Sequence, residues 1–235
     1  ANEAAIKLAR KFGNPERNEI ITTERSFHGR TLATVTATGQ SKFQKGFEPL
    51  PAGFSTVPFN DLNALRNAIT PKTAAIMLEL IQGEGGVRVA DKKYLSEVRR
   101  LCTEKNILLI FDEVQTGMGR TGHMFSYQNY RIVPDMITLA KSLGGGFPIG
   151  ALVASEKIAD TLKPGSHGTT FGGSPLACSA SLATFEAIKK EKLLDNAKIM
   201  GAYLLEKLNW LAKKHAVIRE VRGIGLMMGV ELKVE

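Results

Sequence analysis

The sequence predicts an α/β domain in which a mostly parallel sheet is covered by helices on both faces. Short apolar runs, which suit strands buried in a parallel sheet, alternate along the chain with amphipathic segments that suit helices. Glycine-rich segments follow several of the predicted strands. The clearest predicted strands are residues 74–80, 107–111, 136–140 and 151–154.

Four segments have the periodicity and the end signals of helices. Gly13 suits a helix C-cap, Ser174 and Pro175 suit an N-cap and a first turn, and the last segment ends in lysines that favour the helix dipole. Residues 217–234 have the composition of strands. The predicted helices cover 1–12, 92–105, a segment that begins at 174–175, and about 194–214.

The composition is that of an ordinary globular chain. Its 235 residues, 43% hydrophobic and 23% charged, are enough to bury a sizeable core. The formal net charge is +8, but the basic residues are scattered, so we expect no nucleic-acid partner. No apolar run approaches the roughly 20 residues of a membrane helix, and no secretory signal pattern is visible, so we expect no membrane association and a cytoplasmic setting. Cys102 and Cys178 are expected to be buried thiols of two helices and not a disulfide.

Glycines cluster at four places that flank predicted strands and helices, namely residues 83–86, 117–122, 144–146 and 172–173. In open α/β sheets, ligands bind beyond the carboxyl ends of the strands, where the backbone must approach the ligand closely. We therefore expect these loops to line a binding site.

The segment ILLIFDEVQ at 107–115 ends an apolar strand in two consecutive acids. Because successive side chains of a strand point to opposite faces, Asp112 and Glu113 cannot both face one pocket. A carboxylate at this position can bind a metal, act as a general base or hold a protonated ring nitrogen. The four histidines form no close ligand pair such as H-x-x-x-H, so the metal interpretation is the weakest and we expect no metal.

Lys141 follows another predicted buried strand and precedes three glycines. Partial burial lowers the pKa of an amine, and the neutral amine can attack an aldehyde to form a Schiff base. The alternative is an exposed lysine at the end of a strand, since such lysines are common. This segment alone leaves both interpretations open.

Five motifs taken together resemble the class III (ornithine-type) aminotransferases, which are fold type I pyridoxal-phosphate (PLP) enzymes. In order along the chain they are SFHGRT at 26–31, IQGEGG at 81–86, FDEVQTGMGRTG at 111–122, ITLAKSLGGGFPIGA at 137–151 and HGTTFGGSPLA at 167–177. The resemblance implies the fold type I large domain, with a mostly parallel sheet of the seven-stranded type and helices on both faces. It also implies that residues 1–215 are the PLP-binding large domain without its N-terminal part, and that 216–235 begin the small C-terminal domain.

The same resemblance implies cofactor roles for five residues. Lys141 would form the Schiff base with pyridoxal 5'-phosphate and then move a proton between substrate and cofactor. Asp112 would keep the pyridine nitrogen protonated, so that the ring accepts electrons. Gln115 would hydrogen-bond the phenolic oxygen of the ring, Val114 would pack under one ring face and Phe27 would stack on the other.

Four further residues are implied to bind substrate or to reach a neighbouring subunit. Arg30 resembles a clamp for a substrate carboxylate, a role that suits a guanidinium because it donates two parallel hydrogen bonds. Glu84 resembles the family glutamate that pairs with an arginine of the small domain, which would lie beyond residue 235. Thr170 would reach the phosphate in the neighbouring subunit of a homodimer, with Thr169 beside it near the substrate.

Within the family, residues 36–54 and the HGTTFGG segment are most similar to the acetylornithine aminotransferases. The similarity implies transfer of an amino group from N-acetylornithine to 2-oxoglutarate in arginine biosynthesis. Ornithine, succinylornithine and 4-aminobutyrate transaminases have the same catalytic residues and are alternatives. A non-catalytic fragment that keeps the fold and dimer surface is another alternative, because the family's phosphate-binding loop is expected before Ala1. A nicotinamide dehydrogenase would need G-x-G-x-x-G at the first turn of a βαβ unit, and the glycine clusters do not lie in that context.

Overall fold

The computed structural model describes residues 1–233, which form alternating strands and helices in the expected manner. The strands are β1 (Glu19–Thr23), β2 (Phe54–Val57), β3 (Thr73–Glu79), β4 (Ile81–Gln82), β5 (Arg88–Val89), β6 (Leu108–Asp112), β7 (Met136–Leu139), β8 (Ala151–Ala154), β9 (Ile218–Ile224) and β10 (Met227–Leu232). The helices are α1 (Asn2–Gly13), α2 (Leu32–Ala37), α3 (Leu62–Ala68), α4 (Lys92–Lys105), α5 (Glu156–Ala159), α6 (Pro175–Lys190) and α7 (Leu193–Lys214).

A six-stranded sheet with the order β2-β1-β3-β6-β7-β8 forms the centre of the fold. All neighbouring strands are parallel except β7 and β8, which are antiparallel. The predicted fold class, an α/β domain with a mostly parallel sheet, is therefore confirmed. The sheet has six strands within residues 1–233, compared with seven in the expected type. Its two edge strands are β2 and β8.

The two central strands β3 and β6 are buried along their whole length, which explains why their sequences are continuous apolar runs. Successive side chains point to opposite faces, so each strand contributes to two apolar clusters. One cluster contains Ile76, Leu78, Leu109 and Phe111 with Leu65 of α3 and Leu95 and Val98 of α4. The other contains Ala75, Met77, Leu108 and Ile110 with Ala5, Ile6 and Leu8 of α1.

The ends of the predicted helices are set by local caps. At the start of α4 the carboxylate of Asp91 accepts a hydrogen bond from the backbone N–H of Tyr94 at 2.8 Å. At its end Asn106 is the C-cap, with a left-handed φ of 51°. The prediction for α1 was wrong in one detail. Gly13 is the last residue of the helix and the C-cap is Asn14 in an extended conformation, because the chain leaves α1 without a left-handed turn.

Helices α6 and α7 lie at the periphery of the described structure. In α6, Ala177 and Ile188 are the buried residues, and Cys178 is exposed. The expectation of a buried thiol is therefore wrong for Cys178, because the face of α6 that carries it is not packed against other described residues. The expectation is confirmed for Cys102, which is buried on the core-facing side of α4. No helix within residues 1–233 combines the length and apolarity needed to cross a membrane.

The two last strands form an antiparallel hairpin that is separate from the central sheet. Arg222 of β9 donates two hydrogen bonds to the carbonyl of Gly86, at 2.8 and 2.6 Å. The backbone N–H of Leu226 donates to the carbonyl of Arg120 at 2.9 Å. The hairpin thus packs against two of the glycine-rich loops at the carboxyl edge of the sheet.

Burial of Phe111 gives a direct test of this packing. Phe111 is fully buried in β6, so Phe111→Ala should lower the free energy of unfolding by about 3–5 kcal/mol, because it removes apolar contacts and leaves a cavity. Phe47 is 57% exposed, and Phe47→Ala should change stability by no more than about 0.5 kcal/mol. Urea unfolding of both variants measures the difference. Equal stabilities would show that Phe111 does not lie in the core.

Candidate active site

Three polar residues form a row across the carboxyl ends of adjacent strands. In the sheet register Glu79 of β3 is opposite Asp112 of β6, and Asp112 is opposite Thr138 of β7. Residues paired in this way point to the same face, and all three are buried. Two carboxyl groups are therefore placed side by side at the sheet edge where open α/β folds bind their ligands.

The carboxylate of Asp112 is held by donors from four separate segments. Its Oδ2 accepts hydrogen bonds from the side chains of Asn2 and His28, each at 2.8 Å. Its Oδ1 accepts from the backbone N–H of Val114 at 3.0 Å and faces the hydroxyl of Thr138 at 3.4 Å. These bonds fix the orientation of the carboxylate before any ligand binds.

Glu113 points to the opposite side of the strand, as the alternation of side chains predicted. Its carboxylate accepts hydrogen bonds from the backbone N–H groups of Ser126 and Tyr127, at 2.7 and 2.8 Å, and from the hydroxyl of Thr116 at 3.0 Å. Burial is the main reason that the pKa of Glu113 is raised, and these bonds oppose it. Asp112 is therefore the acid of the pair that faces His28 and Glu79.

His28 is part of this buried cluster, although the sequence indicated no role for it. Burial alone would lower its pKa, but the hydrogen bond and charge of Asp112 and the charge of Glu79 outweigh burial and raise it. The Nδ1 atom of the ring lies 2.8 Å from Oδ2 of Asp112. Its Nε2 is also buried and has no hydrogen-bond partner within residues 1–233. Only its place in the motif at 26–31 was a signal in the sequence.

Glu79 is the second functional candidate that the sequence did not reveal. Its two carboxyl oxygens accept hydrogen bonds from the backbone N–H of Phe27 at 2.7 Å and of Gly83 at 3.2 Å. The pKa of Glu79 is raised to about 7, mainly by burial and further by the negative charge of Asp112. The charge of His28 and the two backbone hydrogen bonds act in the opposite direction and lower it. Glu79 therefore joins two motif segments that lie far apart in the sequence.

Lys141 lines an open cavity of about 340 Å³ together with Val114, Gln115 and Arg120. The hairpin residues Leu226, Met227 and Met228 form another wall of it. The lysine begins a 3₁₀ turn after β7 with a φ of 46° and is exposed. The sequence left open whether this lysine is partly buried or exposed, and the structure shows it exposed, because the cavity opens to solvent at this point. Asp112 does not line the cavity, and it is connected to it through Val114, whose N–H it binds.

Phe27 and Arg30 lie together on the loop between β1 and α2. The ring of Phe27 packs edge-on against Phe43, with centroids 5.3 Å apart, and is partly exposed. The guanidinium of Arg30 lies over both rings, 4.7 Å from the centroid of Phe43 and 5.4 Å from that of Phe27. The aromatic rings thus orient an exposed arginine that forms no ion pair within residues 1–233.

The loop at 83–86 closes against Gln115. A Cβ atom at Gly83 would lie 2.3 Å from the Oε1 atom of Gln115, so any other residue here would require the end of the Gln115 side chain to move. Glu84, in the same loop, is exposed and has no ion-pair partner in the described part of the chain. Thr169 and Thr170 are also exposed, and they do not line the cavity that contains Lys141.

The predicted cofactor residues suit PLP chemically. Lys141 supplies an amine for an aldehyde, Asp112 a fixed carboxylate for a ring nitrogen, and Gln115 a carboxamide for a phenolic oxygen. Phe27 supplies an aromatic face on the neighbouring loop. The buried Nε2 of His28, which has no partner in residues 1–233, shows that the polar cluster also has unused hydrogen-bonding capacity.

Comparison with known proteins gives the same indication. The family model described as aminotransferase class-III matches residues 1–235. The acetylornithine aminotransferase of Methanocaldococcus jannaschii is 58% identical, and that of Caldanaerobacter subterraneus subsp. tengcongensis is 53% identical. The alignments cover 99% and 100% of this chain but 60% and 61% of those proteins, so the chain spans about three fifths of the length of these relatives.

Solved structures with the same fold include PLP-bound enzymes. An ornithine aminotransferase from Toxoplasma gondii, with PLP at partial occupancy in its active site, has a TM-score of 0.94 at 38% identity, over 98% of this chain and 57% of that one. A PLP-bound amine transaminase from an uncultivated Pseudomonas species has a TM-score of 0.92 at 32% identity, over 100% of this chain and 61% of that one.

The coupling of His28 to Asp112 can be measured without a ligand. In cofactor-free protein, Asp112→Asn should lower the pKa of His28, because the charge that opposes burial is lost. A raised folded-state pKa stabilises the fold at pH values below the ordinary value of 6.5, and this contribution is lost as the pH rises through the folded-state pKa. The variant should therefore lose most stability below pH 6.5.

An NMR titration of the His28 imidazole gives the pKa directly. Asp195→Asn, an equal loss of charge at an exposed position of α7, is the matched control and should leave the pKa of His28 unchanged. An unchanged or higher pKa in Asp112→Asn would contradict the coupling.

Proposed function

The chain belongs to the aminotransferase class-III family, and from this premise we propose that the complete protein is a PLP-dependent aminotransferase that moves an amino group from N-acetylornithine to 2-oxoglutarate. This is a reaction of arginine biosynthesis. The observation that carries the proposal is the arrangement of Lys141, Val114 and Gln115 around one cavity, next to the buried carboxylate of Asp112. The identities of 53–58% to acetylornithine aminotransferases support the choice of substrate.

Lys141 is proposed to hold the cofactor and to transfer a proton. It lies at the cavity edge, and its exposure leaves the amine open to an incoming aldehyde. When bound, PLP supplies an electrophilic carbon for the amino group and a ring that accepts electrons from the substrate carbon. During amino transfer the Nζ atom of Lys141 would accept the proton that leaves the substrate carbon and deliver it to the cofactor.

Asp112 is proposed to hold a proton on the ring nitrogen. The carboxylate must remain negative and correctly oriented, and its bonds to Asn2, His28 and Val114 maintain the orientation. The hydrogen bond to His28, whose pKa is raised by Asp112 and Glu79 against the effect of burial, helps to offset the cost of burying the charge. Loss of Asp112 would therefore affect the chemical step more than the binding of the cofactor.

Arg30 is proposed to bind a carboxylate of the substrate. N-acetylornithine and 2-oxoglutarate both carry carboxylates, and a guanidinium can bind such a group through two parallel hydrogen bonds. Stacking on Phe27 and Phe43 limits the motion of Arg30 without using its N–H groups. Glu84, which is exposed at the neighbouring loop, is proposed to pair with an arginine of the small domain.

The proposal includes a homodimer in which Thr170 contacts the phosphate of the partner's cofactor and Thr169 lies near the substrate. The exposure of both threonines is compatible with these roles. We place the boundary between large and small domains at residues 215–216, and the separate sheet of β9 and β10 supports this division. The two free cysteines are compatible with a cytoplasmic setting.

Ornithine, succinylornithine and 4-aminobutyrate transamination are alternatives that use the same residues. The ornithine aminotransferase from Toxoplasma gondii is 38% identical to this chain, whereas the acetylornithine aminotransferase of Methanocaldococcus jannaschii is 58% identical. This difference favours N-acetylornithine as the substrate. A non-catalytic role is disfavoured because the amine, the carboxylate, the carboxamide and the aromatic ring proposed to contact the cofactor are all present.

Borohydride labelling tests the role of Lys141. Purified complete protein incubated with PLP should show a visible absorbance band that disappears on reduction, and peptide mapping should find the cofactor on Lys141. Lys141→Ala should lose the label and reduce turnover by about 10²–10⁴-fold or more, because a positioned proton carrier is removed. Lys93→Ala, at an exposed site in α4, is the control and should behave as wild type. Undiminished labelling of another lysine in Lys141→Ala would refute the assignment.

A substrate comparison tests the proposed reaction. With 2-oxoglutarate as acceptor, kcat/KM should be highest for N-acetylornithine among N-acetylornithine, N-succinylornithine, ornithine and 4-aminobutyrate. The Arg30→Ala substitution should weaken the binding of every substrate that carries the bound carboxylate, because the paired hydrogen bonds are lost. A higher kcat/KM for 4-aminobutyrate would exclude the acetylornithine assignment but would leave the aminotransferase function intact.

A further inference from the structure

Glu79 connects two loops on which the proposed cofactor contacts depend. We infer that Glu79 is a positioning residue, whose carboxylate holds the ring of Phe27 and the loop at Gly83 in a fixed relation to each other. The inference rests on the proposed PLP site, because it concerns the residues that would contact the ring. In the sequence this glutamate lies two residues before the motif at 81–86, without any indication of its partners.

The two oxygens of the carboxylate are divided between the two loops. Oε1 accepts from the N–H of Phe27 at 2.7 Å, and Oε2 accepts from the N–H of Gly83 at 3.2 Å. The side chain is 2% exposed, so water cannot replace it as an acceptor without a rearrangement. An apolar residue at this position would leave two partly buried N–H groups without their present acceptor, which is costly.

One of the two loops carries a proposed contact to the cofactor ring, and the other lies against a second proposed contact. The N–H of Phe27 belongs to the residue whose aromatic ring would stack on the cofactor. Gly83 lies against the carboxamide of Gln115, where a Cβ atom would approach within 2.3 Å of Oε1, so a shift of the loop would also move Gln115. One carboxylate thus controls both the stacking face and the group proposed to bind the phenolic oxygen.

The charge of Glu79 is adjusted by the groups that face it. These are His28, whose positive charge favours ionisation, and Asp112, whose negative charge opposes it. Burial is the largest cause, and together these effects raise the pKa of Glu79 from 4.5 to about 7. A carboxylate forms stronger hydrogen bonds than a neutral carboxyl group, so the connection should tighten as the pH rises through about 7.

The effect on global stability has the opposite sign. Since the folded-state pKa of about 7 exceeds the ordinary 4.5, the bound proton stabilises the fold below pH 4.5, and this contribution disappears as the pH rises through about 7. Local tightening and global stability therefore change in opposite directions over the same pH range. This combination separates a positioning role from a merely structural one.

Glu79→Gln and Glu113→Gln form a matched pair of variants for the complete protein. Both replace a buried carboxyl group that accepts two backbone N–H groups, but Glu113 binds Ser126 and Tyr127 on the other face of the sheet. Glutamine has the same shape, but its amide NH₂ cannot accept one of the two hydrogen bonds. Titration with PLP, followed by visible circular dichroism, gives the dissociation constant and the asymmetry of the bound cofactor.

In Glu79→Gln, the dissociation constant for PLP should rise by about 10- to 100-fold, the range expected when hydrogen bonds to a charged group are lost, and the visible dichroism should decrease. In Glu113→Gln the dissociation constant should stay within about twofold of wild type. Equal constants and equal dichroism in the two variants would overturn the inference. If wild-type protein binds no PLP, the proposed function fails instead.

Amide hydrogen exchange in cofactor-free wild-type protein gives a second readout that needs no variant. After correction for the intrinsic pH dependence of exchange, protection of the Phe27 and Gly83 amides should increase between about pH 6 and pH 8. The amides of Ser126 and Tyr127 provide an internal comparison on the other face of the sheet. Protection of Phe27 and Gly83 that does not change with pH would overturn the inference, whether or not PLP binds.

Discussion

Three ionisable side chains buried next to one another at the carboxyl edge of the sheet constrain the rest of the site. Charges can be buried only when partners compensate for lost hydration, and His28 partly compensates the two acids Asp112 and Glu79. The remaining partners come from the start of α1 and from the segments at 26–31 and 81–86. The packing of these segments and the electrostatics of the cluster therefore depend on each other, and both are established before a ligand binds.

The site has a rigid half and an open half as a result. Asp112 and Glu79 are buried and hydrogen-bonded to backbone groups, and they fix the loops around them. Lys141, Arg30 and Glu84 are exposed at the same edge. A transferase needs both properties, because the orientation of a ring must be constant while substrates and products exchange. Since the chain spans about three fifths of its relatives' length, further contacts to the open half would come from the rest of the protein.

The sequence predicted features that depend on local patterns and failed where distant packing decides. The central strands were located to within one residue because a strand buried on both faces is an uninterrupted apolar run. Alternation correctly separated Asp112 from Glu113. The expected burial of Cys178 was wrong, and the burial of Lys141 was left open, because burial depends on what packs against a residue. His28 and Glu79 were missed because their hydrogen bonds join residues 84 and 52 positions apart, and no periodicity reports such contacts.

The raised pKa of Glu79 gives the cluster a property that neither a neutral nor a fully charged residue would provide. Near pH 7 the residue exists in both protonation states, so a nearby positive charge shifts it towards the carboxylate. A protonated ring nitrogen held by Asp112 would be such a charge. Glu79 would then lose its proton and bind the Phe27 and Gly83 amides more strongly. Occupation of the site and ordering of its walls would therefore reinforce each other, because both depend on the same balance of charge.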